Sequence, residues 1–148
     1  MEALLTAIVV WLSANYSLPA SFEHPRVEFV SAIKLTSLSH RDISQQQQAG
    51  MLLNQSGSEI VSLYNDKQPT IYLREGWTGK TPAELSILVH EMVHHLQNLG
   101  RLKFECPQAR EEVAYQAQER WLGLFGRDLS RDFEMDPFTI LVKSKCFY

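Results

Sequence analysis

The sequence predicts an α+β domain with a mainly antiparallel sheet. Three observations point there: two alternating apolar runs joined by a turn-forming cluster, a helix with marked start and stop signals, and a second amphipathic helix after it. The chain has 148 residues, 45% of them apolar and 21% charged, which is an ordinary globular balance. One compact domain over 1–148 accommodates that length. The net charge is −3, without a basic stripe, so no nucleic-acid partner is expected. No internal repeat or dividing linker is visible. Gln45–Gln48 is the one low-complexity stretch and reads as a polar helix face or a loop.

Leu4–Leu12 is an apolar run without a preceding Lys or Arg, and Glu2 is acidic. That fits a signal peptide poorly, and the run is too short to span a bilayer. It is expected to form a first helix packed on the core, with no membrane span. Pro19 and Pro25 then break the chain. Val27, Phe29 and Ser31 alternate with Glu28, Val30 and Ala32, as in a short strand. Ile60–Tyr64 and Thr70–Arg74 flank the cluster Asn65-Asp66-Lys67-Gln68-Pro69 and predict a hairpin, with Ile71 and Leu73 on one face and Tyr72 on the other.

The spacing predicts a helix over 82–99. Thr81 is a good N-cap, Pro82 suits the first helical position, and Glu84 completes a capping box. Gly100 is the stop signal. A second helix is expected from about Pro107 to Phe125, with Val113, Ala114, Ala117, Trp121 and Leu124 as its core stripe and Gly126 beyond its end. In the tail, Phe138–Val142 is an apolar run of unassigned type. Cys106 and Cys146 are not spaced as a zinc ribbon. A disulfide between them is expected in an oxidising compartment, with Cα atoms about 5–6 Å apart. The bond implies a periplasmic or secreted protein; free thiols imply a cytoplasmic one.

The chemistry lies in His90-Glu91-Met92-Val93-His94. Four helical residues turn the chain through about 400°, so both imidazoles project from one face and can share one tetrahedral zinc ion. Glu91 sits beside them, where it can take a proton from a water in the open coordination position. This H-E-x-x-H spacing is the arrangement of zinc peptidases. The apolar positions Leu85, Leu88, Met92, Leu96 and Leu99 give the same helix a core face. His95 points about 100° away from His94 and is expected outside the ligand set, behind it or on the surface.

A catalytic zinc needs a third protein ligand. A metzincin would need Gly at 97 and His at 100, where the chain has Gln97 and Gly100. A deformylase-like site would need an upstream Cys, and none precedes Cys106. A carboxylate of the next helix remains. Glu112 shares a stripe with Gln116, Glu119, Arg120 and Gly123, which reads as solvated. Glu111 shares one with Ala114, Tyr115, Gln118 and Leu122, which reads as partly buried, so Glu111 is the predicted ligand.

His90-Glu91-x-x-His94 followed by Glu111-x-x-Ala114 resembles the gluzincin branch of zinc metallopeptidases. Leu88–Gln97 together with Ala114–Gln118 also looks like an uncharacterised family of small bacterial zincin-like proteins. The resemblance covers about residues 60–125. It implies a small zincin-like domain, an active-site helix carrying the two histidines, and a following helix that supplies the glutamate ligand. Larger members often carry Asp four residues after that ligand. Tyr115 stands there in this chain, where its hydroxyl would bond a ligand or donate to the oxyanion. The resemblance further implies a strand whose open edge receives the substrate backbone, with Ile60–Tyr64 as first choice. The expected function is hydrolysis of a peptide or protein substrate by a zinc-activated water, with Glu91 as base. The alternative is a non-proteolytic binding or toxin-type module that keeps zinc mainly for structure. A metal-free helical domain is the third reading.

Overall fold

The computed structural model describes residues 1–41, 51–53 and 60–147. The glutamine run Gln45–Gln48 lies outside them. In chain order the elements are α1 (Glu2–Tyr16), β1 (Arg26–Val30), α2 (Ala32–Arg41), β2 (Met51–Leu53), β3 (Ile60–Asn65), β4 (Thr70–Arg74), α3 (Pro82–Leu99), a 3-10 turn (Pro107–Arg110), α4 (Glu111–Gly123), α5 (Leu129–Phe133) and α6 (Pro137–Ser144).

The sheet order is β1-β4-β3-β2. β3 and β4 form the expected antiparallel hairpin, and Asn65 Oδ1 holds its turn by accepting from the Lys67 and Gln68 amides at 2.9 and 3.2 Å. β2 pairs antiparallel with β3, whereas β1 runs parallel to β4, so the sheet is mixed. Its two faces bury different residues. Ile71, Leu73 and Tyr64 face α1 and α3, while Leu63, Tyr72 and Val30 cover Leu35 of α2. The alternation expected along Thr70–Arg74 is therefore present.

β3 is flanked by β2 on one side and β4 on the other. Ile60–Tyr64 is thus an interior strand, and its expected open edge is not there. The sequence marks a strand by its alternation, which is the same for edge and interior strands.

α1 packs as expected, burying Leu5, Ile8, Val9 and Leu12 against α3 and α4. Among the described residues no helix is long and apolar enough to cross a membrane. α3 has the predicted bounds, with Thr81 Oγ1 accepting from the Glu84 amide at 3.1 Å. The reciprocal half of the capping box differs. The Glu84 carboxylate accepts from Thr78 Oγ1 at 2.6 Å and from the Lys80 amide at 3.2 Å. Gly100 ends the helix without a positive φ; the left-handed residue is Arg101, at φ 52°. Gly100 is needed for space, because a Cβ there would stand 2.7 Å from Pro19 Cγ.

The second helix begins with a 3-10 turn and becomes α-helical only at Glu111. Leu124, expected in its core stripe, is 62% exposed because the regular helix has ended at Gly123. Trp121 is half-buried and meets Trp11 of α1 edge to face at 5.3 Å. The run Phe138–Val142 lies in α6, which starts on Asp136 accepting from the Thr139 amide at 2.7 Å.

Candidate metal centre

α3 is the central helix, with β3, α1 and α4 packed around it. Every side chain from Leu88 to Gln97 is buried in consequence. His90, Glu91 and His94 are therefore in the interior, and the helical period aims both imidazoles at α4. Glu111, the first residue of α4, meets them there. His90 Nε2 is 2.9 Å from Glu111 Oε2, and His94 Nε2 is 3.2 Å from Glu111 Oε1. One ligand atom from each residue lies within 4.8 Å of the other two. The predicted set is brought together, and Glu112 is not part of it: its side chain is 42% exposed and pairs with Lys145 at 2.7 Å.

The backs of the two rings are fixed by glutamines that the sequence reading did not assign. His94 Nδ1 lies 3.0 Å from Gln97 Oε1, and Gln97 Nε2 donates to the Arg110 carbonyl at 3.0 Å. A carbonyl only accepts, so the Gln97 amide orientation is settled and His94 Nδ1 must donate. His90 Nδ1 lies 2.9 Å from Gln118 Oε1, and Gln118 Nε2 donates to Ser86 Oγ at 3.2 Å. The Ser86 hydroxyl gives its own proton to the Ala83 carbonyl at 2.7 Å, so it accepts from Gln118. His90 Nδ1 is likewise a donor. A neutral ring with Nδ1 as donor carries its lone pair on Nε2, and both Nε2 atoms face Glu111.

Those lone pairs and the Glu111 oxygens are all acceptors, buried and without a hydrogen-bond partner of their own. Acceptors gathered this closely need a cation between them. Two donors of a tetrahedral zinc ion, each about 2.0–2.2 Å from it, stand about 3.3–3.6 Å apart, and the separations of 2.9 and 3.2 Å need to widen only slightly to admit one. The residues therefore fit a divalent metal. Without one, a proton serves: burial pushes His94 down, but the Glu111 carboxylate outweighs it and raises the imidazole. Burial would push Glu111 up, but His94 and His90 outweigh it and hold the carboxyl down at about 2.

Glu91 lies beside this cluster. Ser62 of β3 donates to its Oε1 at 2.6 Å, while Oε2 is buried and unpartnered. Burial pushes its carboxyl up, with Glu111 adding to the shift and the two histidines opposing it. The Tyr115 ring meets His90 edge-on at 4.9 Å, and the rest of it packs with Leu122, Leu129, Phe133 and Met135. Burial, then the charges of Glu111 and Glu91, push its hydroxyl well above 10, so it keeps its proton. His95 is neither a ligand nor at the surface. It is 1% exposed, bonded through Nδ1 to the Tyr64 hydroxyl at 2.9 Å and through Nε2 to the Glu23 carbonyl at 2.6 Å.

Four other features surround Glu111. The Arg110 guanidinium makes a two-pronged pair with Asp66 at 2.7 and 2.9 Å. Cys106 and Cys146 are joined by a disulfide, with Cα atoms 5.8 Å apart as expected. Lys145 reaches Glu112 from the same C-terminal segment. Beyond Gln97 and Arg110 lies a cavity of about 500 Å³, walled by Asp66, Leu102, Phe104 and Cys106.

The sequence did carry a signal for the two glutamines: Gln97 shares a helix face with His90 and His94, and Gln118 shares a stripe with Glu111, Ala114, Tyr115 and Leu122. Their partners are set by the packing of α3 on β3 and α4, which spacing alone does not give.

Fold and cluster together define a small α+β domain built around a buried two-histidine, one-carboxylate group that could hold a metal ion. Over residues 1–148 the chain belongs to a family described as a domain of unknown function (DUF6647). No curated protein and no solved structure matches it.

Proposed function

We propose that the chain is a zinc-dependent hydrolase of the gluzincin kind that cleaves peptide bonds. The observation that carries this reading is Glu91: a buried carboxylate with one oxygen unpartnered, set beside a cluster of three metal donors. A metal kept only for folding has no use for such a group.

His90, His94 and Glu111 would hold the ion. When bound, zinc lowers the pKa of a water and polarises the scissile carbonyl. The two glutamines keep the histidines in the tautomer that presents Nε2. Ser62 occupies Glu91 Oε1 and leaves Oε2 to take the proton of the attacking water. Burial pushes the carboxyl up, which favours its holding the proton that must later pass to the leaving amine. The protonated Tyr115 hydroxyl is the donor we assign to the developing oxyanion. The disulfide supports a periplasmic or secreted location.

One observation favours a second reading. His90, Glu91 and His94 are 0% exposed and Glu111 is 4% exposed. An enclosed cluster suits a zinc held for structure in a binding or toxin-type module. A hydrolase must open this enclosure to admit a peptide.

The test is Glu91→Gln, matched to wild type for zinc content and folding, against a peptide library. The hydrolase reading expects cleavage by wild type and a loss of about 10²–10⁴-fold in the variant. Cleavage at equal rates would remove Glu91 as the base. A zinc-loaded wild type that cleaves nothing, and unfolds when zinc is stripped, would establish the structural reading instead.

A further inference from the structure

We propose that the Cys106–Cys146 disulfide positions the third metal ligand, so that its reduction weakens the metal site. This rests on the reading that His90, His94 and Glu111 bind a metal.

Glu111 is the least supported of the three donors. Its carboxylate faces the two histidine Nε2 atoms at 2.9 and 3.2 Å and has no other partner. No residue holds it from behind, as the glutamines hold the histidines, so its place depends on the backbone at the start of α4. That start has no local cap: Arg110, at the N-cap position, makes no capping side-chain bond. Contacts from outside α4 hold it. Asp66 holds the Arg110 guanidinium, Gln97 holds the Arg110 carbonyl, and the disulfide holds Cys106, which begins the 3-10 turn running directly into Glu111. The last contact ties that turn to the end of α6, 40 residues on, and Lys145 next to Cys146 pairs with Glu112 next to the ligand. The C-terminal segment is thus a strap across the start of the ligand helix.

Both cysteines are half-buried, within reach of a small dithiol. A thiolate of the dithiol attacks one sulfur, the Cys106–Cys146 bond breaks, and a mixed disulfide forms. The second thiol of the reductant closes on it. Two electrons and two protons reach the protein as two thiols, and the dithiol becomes a cyclic disulfide. With the bond open, the 3-10 turn and the first turn of α4 lose their covalent tie to the end of α6 and keep only its packing and the Lys145–Glu112 pair, while α3 keeps its own packing.

Two measurements test this. The first is amide hydrogen exchange on metal-free protein, disulfide-bonded and after dithiol reduction. Faster exchange confined to about residues 105–114, with α1 and α3 unchanged, is expected. The second is the zinc Kd of wild type and of Cys106→Ser/Cys146→Ser, by competition with a chromophoric chelator and without thiols. The variant should bind about tenfold or more weakly, as for loss of other outer supports of a metal ligand. Equal Kd values with unchanged exchange would overturn the proposal, and so would faster exchange spread evenly over the chain, because the bond would then be a general stabiliser. If disulfide-bonded wild type takes up no zinc, the metal reading itself fails and this one with it. Normal uptake that ignores the disulfide fails this one alone.

Discussion

α3 delivers His90 and His94 from a run, Leu88 to Gln97, in which every side chain is buried. α4 delivers Glu111 from its first residue, at a junction with a 3-10 turn. Each histidine is bonded from behind, whereas the Glu111 carboxylate has no such partner. The two sides of one cluster are therefore held differently. Packing and local capping fix α3; long-range contacts, among them the Asp66 pair, the Gln97 bond and the disulfide, fix the start of α4. Metal affinity should accordingly be more sensitive to changes around Glu111 than to changes along the outside of α3.

The largest effect tests the ligand assignment itself. Glu111→Gln should lower zinc affinity by more than about 100-fold, beyond the roughly 10–100-fold typical of outer supports. Glu112→Gln removes only an exposed pair with Lys145 and should leave Kd nearly unchanged. Metal titration of the two variants decides. If Glu112→Gln gave the larger loss, the helical phase assigned to α4 would be wrong and the comparison would collapse.

A smaller effect sharpens it. Gln118→Ala frees the back of His90 and the Ser86 hydroxyl, both on the enclosed helix α3. Gln97→Ala frees the back of His94 and also the Arg110 carbonyl, next to Glu111. Both should weaken zinc binding within about 10–100-fold, with Gln97→Ala the worse of the two. Losses of equal size, measured by the same competition titration, would mean that the start of α4 is no weaker than α3.

This contrast also explains what could be read from the sequence. Thr81, Pro82 and Gly100 punctuate α3 within its own segment, and its bounds follow from them. The hairpin is equally local, since Asn65 makes its turn. Asp136-Pro137 starts α6 in the same way as Thr81-Pro82 starts α3, a local signal that the unassigned reading of Phe138–Val142 did not use. The start of α4 was not legible, because Asp66 and Cys146 set it from a distance. The interior position of β3 depends on pairing with β2, which alternation does not reveal. In the metal cluster, the two histidines and Glu111 follow from period and phase. Ser62, Gln97 and Gln118 needed the packed structure, since each bonds to a group on another element or, for Gln97, joins two of them.

The smallest effect belongs to the locally fixed side. Thr81 caps α3 by accepting from the Glu84 amide, and Thr81→Ala should cost about 0.5–2 kcal/mol of stability. The low end is expected, because Glu84 keeps its own bonds to Thr78 and Lys80 and Pro82 still starts the helix. His90 lies more than two turns beyond the cap, inside the buried run, so any fraying should end before it reaches the metal cluster. Equilibrium denaturation should show the loss, and zinc titration of the same variant should show an unchanged Kd. A Kd that weakens along with stability would mean that α3 transmits a disturbance from its end to its ligands. The rigidity assigned here to α3, and with it the contrast with α4, would then be wrong.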